Sequence, residues 1–209
     1  MKIKKIAAIC KPWKQVNLIT IKSDVRQIAA QYIKAGAAIY PVRGLPAMNP
    51  EQLLTLFDIP EDKRKDWKAE ECEPDPDRYC LLDNRAEDQP VDMIPISLEW
   101  GDQKLQPVKT SRGVKLIPVE LFGPLELGTG MFELFERENS FGNLYLIAKV
   151  GMILQGIIFP EINLSETRME TFRELYRGME ESYIGSMEQE EVRLEQTRRN
   201  LGISENEEN

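Results

Sequence analysis

Cys72 and Cys80 bracket the acidic stretch Glu73-Pro74-Asp75-Pro76-Asp77-Arg78-Tyr79. Two thiolates with a carboxylate between them could hold a soft divalent cation. Zinc sites, however, space paired cysteines by two to four residues and often add histidine. Seven residues intervene here, which reads as an exposed, proline-bearing loop. Asp75, Asp77, Asp83, Asp88 and Asp92 could gather around Mg2+, but they follow no fixed ligand spacing, and unpatterned loop carboxylates are usually solvated. The run from Gly123 through Gly128 to Gly130 is glycine-rich. It lacks the Gly-Lys-Ser/Thr of a phosphate loop and does not follow the dinucleotide fingerprint, so it reads as a turn. The chain has no histidine. That removes the Ser-His-Asp and Cys-His nucleophile systems and the usual general base near neutral pH. No catalytic, cofactor or metal residue is assigned. An enzyme working through the carboxylates of residues 70–92 ranks last among the functional readings.

The charge distribution carries more. The net charge is −8 over 209 residues, yet residues 1–50 hold nine Lys/Arg against the single acid Asp24, while residues 51–100 hold six bases against fifteen acids. Such asymmetry marks either a basic nucleic-acid face or side chains that pair with the acidic middle of the same fold. Lys2, Lys4, Lys5, Lys11, Lys14, Lys22, Arg26 and Lys34 are the candidate nucleic-acid contacts, Lys4, Lys5, Lys11 and Lys14 foremost, although an acidic protein repels phosphate at long range. Trp13, Trp67 and Trp100 are scattered along the chain and read as core or rim residues rather than base-stacking platforms. Three sparse cysteines suggest reduced thiols in a cytoplasmic setting. No apolar run approaches a membrane span of about 18 residues. The first ten residues begin like a signal peptide, but Lys11-Pro12 end the apolar segment without a cleavage site, so they belong to the fold.

The elements that must position these residues are short. Ile3, Ile6, Ala7 and Cys10 recur at helical spacing, closed by Pro12, which reads as a short amphipathic helix with a strand as the rival reading. Strands follow over Gln15–Ile21, Val25–Ile33 and Ala37–Val42. Asn49-Pro50-Glu51 is a helix start, and a second turn runs through Glu61–Trp67. Met93–Trp100 and Lys104–Val108 form a hairpin at Gly101-Asp102, then comes a strand over 114–117. One helical turn, Pro118–Phe122, is closed by Gly123. Strands over Met131–Arg137, Asn143–Val150 and Met152–Phe159 complete the set. Lys34-Ala35-Gly36 matches Lys149-Val150-Gly151, and Tyr40-Pro41 matches Phe159-Pro160, which suggests an internal duplication. From Ser165 a long helix carries the stripe Met169, Phe172, Tyr176, Met179 and Tyr183. Beyond it only Met187, Leu194 and Leu201 keep a seven-residue beat, a seam for a partner chain.

The expected fold is therefore α+β: two β-rich units, each with a short helix, plus a long C-terminal helix. The expected boundaries are an N-terminal α+β unit over 1–68, an acidic linker or loop over 69–92, a β-rich unit over 93–164, a helix over 165–203 and a disordered tail over 204–209.

Three phrases, Ala37-Ala38-Ile39-Tyr40-Pro41-Val42, Leu56-Phe57-Asp58-Ile59-Pro60-Glu61-Asp62-Lys63 and Ala148-Lys149-Val150-Gly151-Met152, resemble uncharacterised prophage-encoded proteins of Gram-positive bacteria. The resemblance covers roughly residues 1–175 and implies a mobile-element origin without an activity. The repeated strand–helix–three-strand pattern also resembles the half-domain of a DNA sliding clamp, which implies association with DNA. A clamp subunit contains more such units and shows a basic inner ring, and a projecting helix is not a clamp feature. The leading functional expectation is a non-enzymatic phage or mobile-element protein acting by protein–protein association, with a protein partner or a second copy of itself, through Met187, Leu194 and Leu201 of the C-terminal helix and an exposed sheet surface. The alternative is a clamp-like or other DNA-metabolism accessory protein using Lys4, Lys5, Lys11 and Lys14. No cofactor and no membrane partner are expected.

Overall fold

The computed structural model describes residues 2–22, 28–101, 103–125 and 132–160, together with residues 174, 177 and 178. The chain divides into the units Met1–Ile162 and Asn163–Asn209, and every strand among the described residues lies in the first.

Helix α1 (Ile3–Cys10) leads into the meander β1 (Gln15–Ile21), β2 (Ala30–Ala35) and β3 (Ala38–Pro41). Helix α2 (Pro50–Leu56) starts where the sequence places it, because Asn49 and Gln52 close a reciprocal capping box: each side chain accepts from the other's backbone N–H at 2.8 Å. Helix α3 (Glu61–Arg64) and β4 (Lys68–Cys72) follow. Next come β5 (Gln89–Met93), β6 (Leu98–Trp100), β7 (Gln103–Thr110) and β8 (Gly113–Pro118). A 3₁₀ turn, Val119–Phe122, then precedes a second meander, β9 (Glu133–Glu138), β10 (Leu144–Val150) and β11 (Ile153–Ile158).

The expectation of two β-rich units plus a long helix is overturned. Strands from both halves of the chain join one mixed sheet of eleven strands, in the order β4-β1-β2-β3-β11-β10-β9-β5-β7-β6 with β8 beside β7. The described residues hold three short α-helices and no long C-terminal helix. Residues 165–203 fall almost wholly outside the described residues, where only Glu174, Arg177 and Gly178 appear, as helix. The physical reason for the fusion is visible at β3, all four of whose residues are buried. A strand buried on both faces cannot leave its second edge unpaired. It pairs antiparallel with β11, through Ile39 with Ile157 and Ala38 with Ile158. Strand β5 then carries the ladder round a corner, pairing through Val91 with β9 and through Met93 with β7.

Two hairpins in this sheet have the same local plan. Lys34 pairs with Ile39 and Ala35 with Ala38 around Gly36. Lys149 pairs with Leu154 and Val150 with Ile153 around Gly151. Both glycines sit at positive φ, +55° and +58°, where a side chain would strain the turn. The aromatic–proline phrases do not correspond in the same way. Tyr40 is four residues past its glycine and donates from its hydroxyl to the Leu121 carbonyl at 2.7 Å, whereas Phe159 lies eight residues past its own, against the other core cluster.

Candidate anion-binding cleft

The sheet has a large core on one face, where Ile6, Leu18, Tyr40, Leu53, Val108, Ile117 and Leu146 meet. A smaller cluster, Ile19, Ile39, Tyr145, Ile147, Leu154 and Ile157, lies on the other. Tyr79 belongs to this second cluster, and Cys72 and Leu81 pack against it. The acidic stretch between β4 and β5 therefore lies over the second face, anchored by an aromatic and a leucine that its polar composition conceals.

A buried charge cluster fixes this cover. Arg137 on β9 donates to both carboxylate oxygens of Asp88, at 2.5 and 2.9 Å, and Lys149 on β10 donates to the same carboxylate at 2.5 Å. Arg137 also donates to the carbonyls of Cys80 at 3.1 Å and Leu82 at 2.9 Å, and Lys149 to Asn84 Oδ1 at 2.8 Å. The Lys149 ammonium stands 4.4 Å from the centre of the Phe135 ring. The three side chains are nearly inaccessible, at 1%, 4% and 5% for Arg137, Lys149 and Asp88. Burial by itself would raise the Asp88 pKa. The hydrogen bonds from Arg137 and Lys149 overcome that and hold the carboxyl well below its usual range. One carboxylate neutralising two cations, with backbone carbonyls absorbing the excess, is a staple for the cover rather than a reaction centre.

Where the cover ends, a cleft of about 720 Å3 opens. Its floor is aromatic: Tyr79 and Tyr145 contact Phe159 with ring centres 6.1 and 6.0 Å apart. Its walls carry four cations, Lys34 from β2, Arg78 from the cover, Arg112 from the β7–β8 turn and Lys115 from β8, and among the described residues its lining includes no Asp or Glu. Arg78 pairs outward with Asp75 at 3.2 Å and Arg112 with Glu138 at 2.5 Å. Among the described residues Lys34 and Lys115 pair with no carboxylate. Burial pushes the nearby Cys72 thiol up, and the charge of Lys34 pulls it partly back.

The rim is held from several sides. Asn139 Oδ1 accepts from the backbone of Phe141 at 3.0 Å and Asn143 at 2.8 Å, so the turn between β9 and β10 is a closed side-chain–backbone loop. Arg112 donates to the Gly142 carbonyl, and Ser140 N donates to the Asp77 carbonyl at 3.1 Å. Phe141 is displayed on this braced turn, 67% exposed. A smaller hollow of about 220 Å3 adjoins, lined by Trp13, Gln15, Asn17 and the same Lys34 and Gly36. Trp13 is 77% exposed.

Of the residues singled out from sequence, none of Lys4, Lys5, Lys11 and Lys14 lines the cleft. Lys4 and Lys5 are exposed on α1, Lys11 at its end, and Lys14 pairs with Asp66 at 3.4 Å. Arg26, Met187, Leu194 and Leu201 lie outside the described residues. All three cysteines are free thiols, with Cys10 pushed up to about 12 by burial. Among the described residues no three His, Cys, Asp or Glu side chains converge to hold a metal ion, and no helix is long and apolar enough to cross a membrane. Of the cleft's cations the sequence reading named only Lys34, among the basic candidates of the first 50 residues, and it missed Arg78, Arg112, Lys115 and Phe141. Only Phe141 had a local signal: an aromatic between Asn139-Ser140 and Gly142-Asn143 has no core to enter.

Comparison of the chain with protein-family models, with curated proteins and with solved structures finds no match.

Proposed function

We propose that this protein is a non-catalytic binding protein whose cleft takes an anionic ligand. One observation carries the reading: four cations, from β2, the cover and the β7–β8 hairpin, line one hollow whose described lining includes no carboxylate. The chain's net charge of −8 opposes anion binding only at a distance. Beyond a Debye length of about 8–10 Å those exposed acids are screened, and the local cations decide. The reading is nearest to the expectation of a nucleic-acid accessory protein, with the ligand moved from α1 to the cleft. Three free thiols fit a reducing, cytoplasmic compartment, and service to a phage or mobile element agrees with the phrases that resemble prophage-encoded proteins.

The test is an amide-resonance map on addition of tripolyphosphate. Shifts should concentrate at Lys34, Gly36, Arg112, Lys115 and Asn143. Shifts confined to Lys4, Lys5 and Lys11 would move the site to the helix and overturn the reading, as would no shift at about 50 mM salt, where phosphate contacts are strong.

A further inference from the structure

Resting on that reading, we infer that the ligand is single-stranded nucleic acid, with its backbone in the cationic cleft and its bases stacked on Phe141 and Trp13. Both rings stand in water although each sits on a defined backbone. Phe141 is carried by the turn that Asn139 and Arg112 brace. Trp13 follows α1, with its N–H donating to the Cys10 carbonyl at 3.2 Å. A large ring left in water gains little for the fold, since folding stabilises apolar surface by removing it from water. The two rings line adjoining hollows that share Lys34 and Gly36, so one cation is common to the hollows that carry both stacking surfaces. That combination suits an unpaired strand, whose phosphates track a positive groove while each base offers a flat face. A duplex hides those faces, and a sulfated polysaccharide has none. Asn17, in the smaller hollow, adds a polar clue. Its Oδ1 is buried with no hydrogen-bond donor among the described residues, and the amino group of a base could supply one.

The experiment titrates the full chain with a labelled single-stranded 12-mer, the corresponding duplex and heparin. It compares wild type with Phe141→Ala, Trp13→Ala, the double variant and Phe141→Tyr, following anisotropy and tryptophan emission. Each ring removed should weaken the single strand about tenfold or more, leave duplex and heparin unchanged, and leave the salt dependence unchanged. Phe141→Tyr should restore affinity, which shows that a folded surface lacking only the ring was tested. Tryptophan quenching should accompany the single strand in wild type and vanish in Trp13→Ala. If ring removal leaves the single strand unaffected, or weakens all three polyanions alike, stacking is wrong while the anionic cleft stands. If wild type binds none of the three at about 50 mM salt, the cleft itself is wrong.

Discussion

Lys34 and Lys149 occupy the same place in two hairpins of one sheet, yet they live in opposite environments. Each stands two residues before a positive-φ glycine and faces the smaller core cluster's side. Lys149 is closed over by the stretch between β4 and β5 and neutralised by Asp88. Lys34 opens into a hollow whose described lining holds no carboxylate. Local sequence makes the hairpins alike. What separates the enclosed lysine from the open one is the reach of the cover, which a residue some 60 positions away decides, Asp88 being 61 from Lys149. A cation's function here is set by which acid arrives, not by its own strand.

The sharpest way to break the comparison is to remove that acid. Asp88→Ala leaves two buried cations uncompensated and should cost about 3–5 kcal/mol of unfolding free energy, read by urea denaturation. Lys34→Ala, which strands no buried partner, should stay within about 0.5 kcal/mol. Equal effects would show that the two environments do not differ as described.

That contrast also explains what could be read from the sequence. The helix α1, the strand β1, the N-cap at Asn49 and the turn around Gly151 were legible, because each is written in residues within a few positions of one another. The parallel pairing of β4 with β1 was not, since Gln15 meets Lys68 only after the chain has passed through three strands and two helices. The cover reads as a loop or linker because its acids and prolines outnumber Tyr79 and Leu81, the two side chains that seat it. Arg137 and Glu136 are both buried in β9, so that strand shows no clean alternation of apolar and polar residues. The cleft was least legible of all: residues 34, 78, 112, 115 and 141 meet only through the sheet order.

A smaller effect sharpens the electrostatic half of the comparison. The folded pKa of Asp88 lies below its unfolded value of about 3.9. Its stabilising contribution is therefore complete above that value and is lost as pH falls through it towards the folded pKa. Wild-type stability should decline below about pH 4, and Asp88→Asn should be less stable at pH 7 and flatter in this acid window. A profile for Asp88→Asn as steep as wild type would place the titrating group elsewhere.

The smallest effect tests the shared part of the two hairpins. Gly36→Ala and Gly151→Ala each force a side chain into a positive-φ turn and should each cost about 1–2 kcal/mol. A Cβ at Gly36 would meet Ile9 at 3.6 Å, an ordinary contact, and one at Gly151 would meet nothing, so backbone strain alone should make the two costs nearly equal. A difference much larger than about 1 kcal/mol would mean that the hairpins differ in backbone as well as in cover.

The most direct test of the central claim is the salt dependence of polyanion affinity for wild type and for Lys34→Glu/Lys115→Glu, measured by anisotropy with one labelled single strand. Each phosphate contact contributes about 0.7 to the log–log slope for a single strand. The double reversal should lower affinity at least about tenfold and flatten the slope by roughly 1.4, with the unfolding midpoint unchanged because both lysines are unpaired with acids in the described structure. Lys4→Glu/Lys5→Glu, which makes an equal charge change on α1, should leave affinity within about twofold, as those side chains lie outside the cleft and long-range charge is screened. If the two double variants weaken binding equally, the ligand responds to overall charge, and the cleft is not its site.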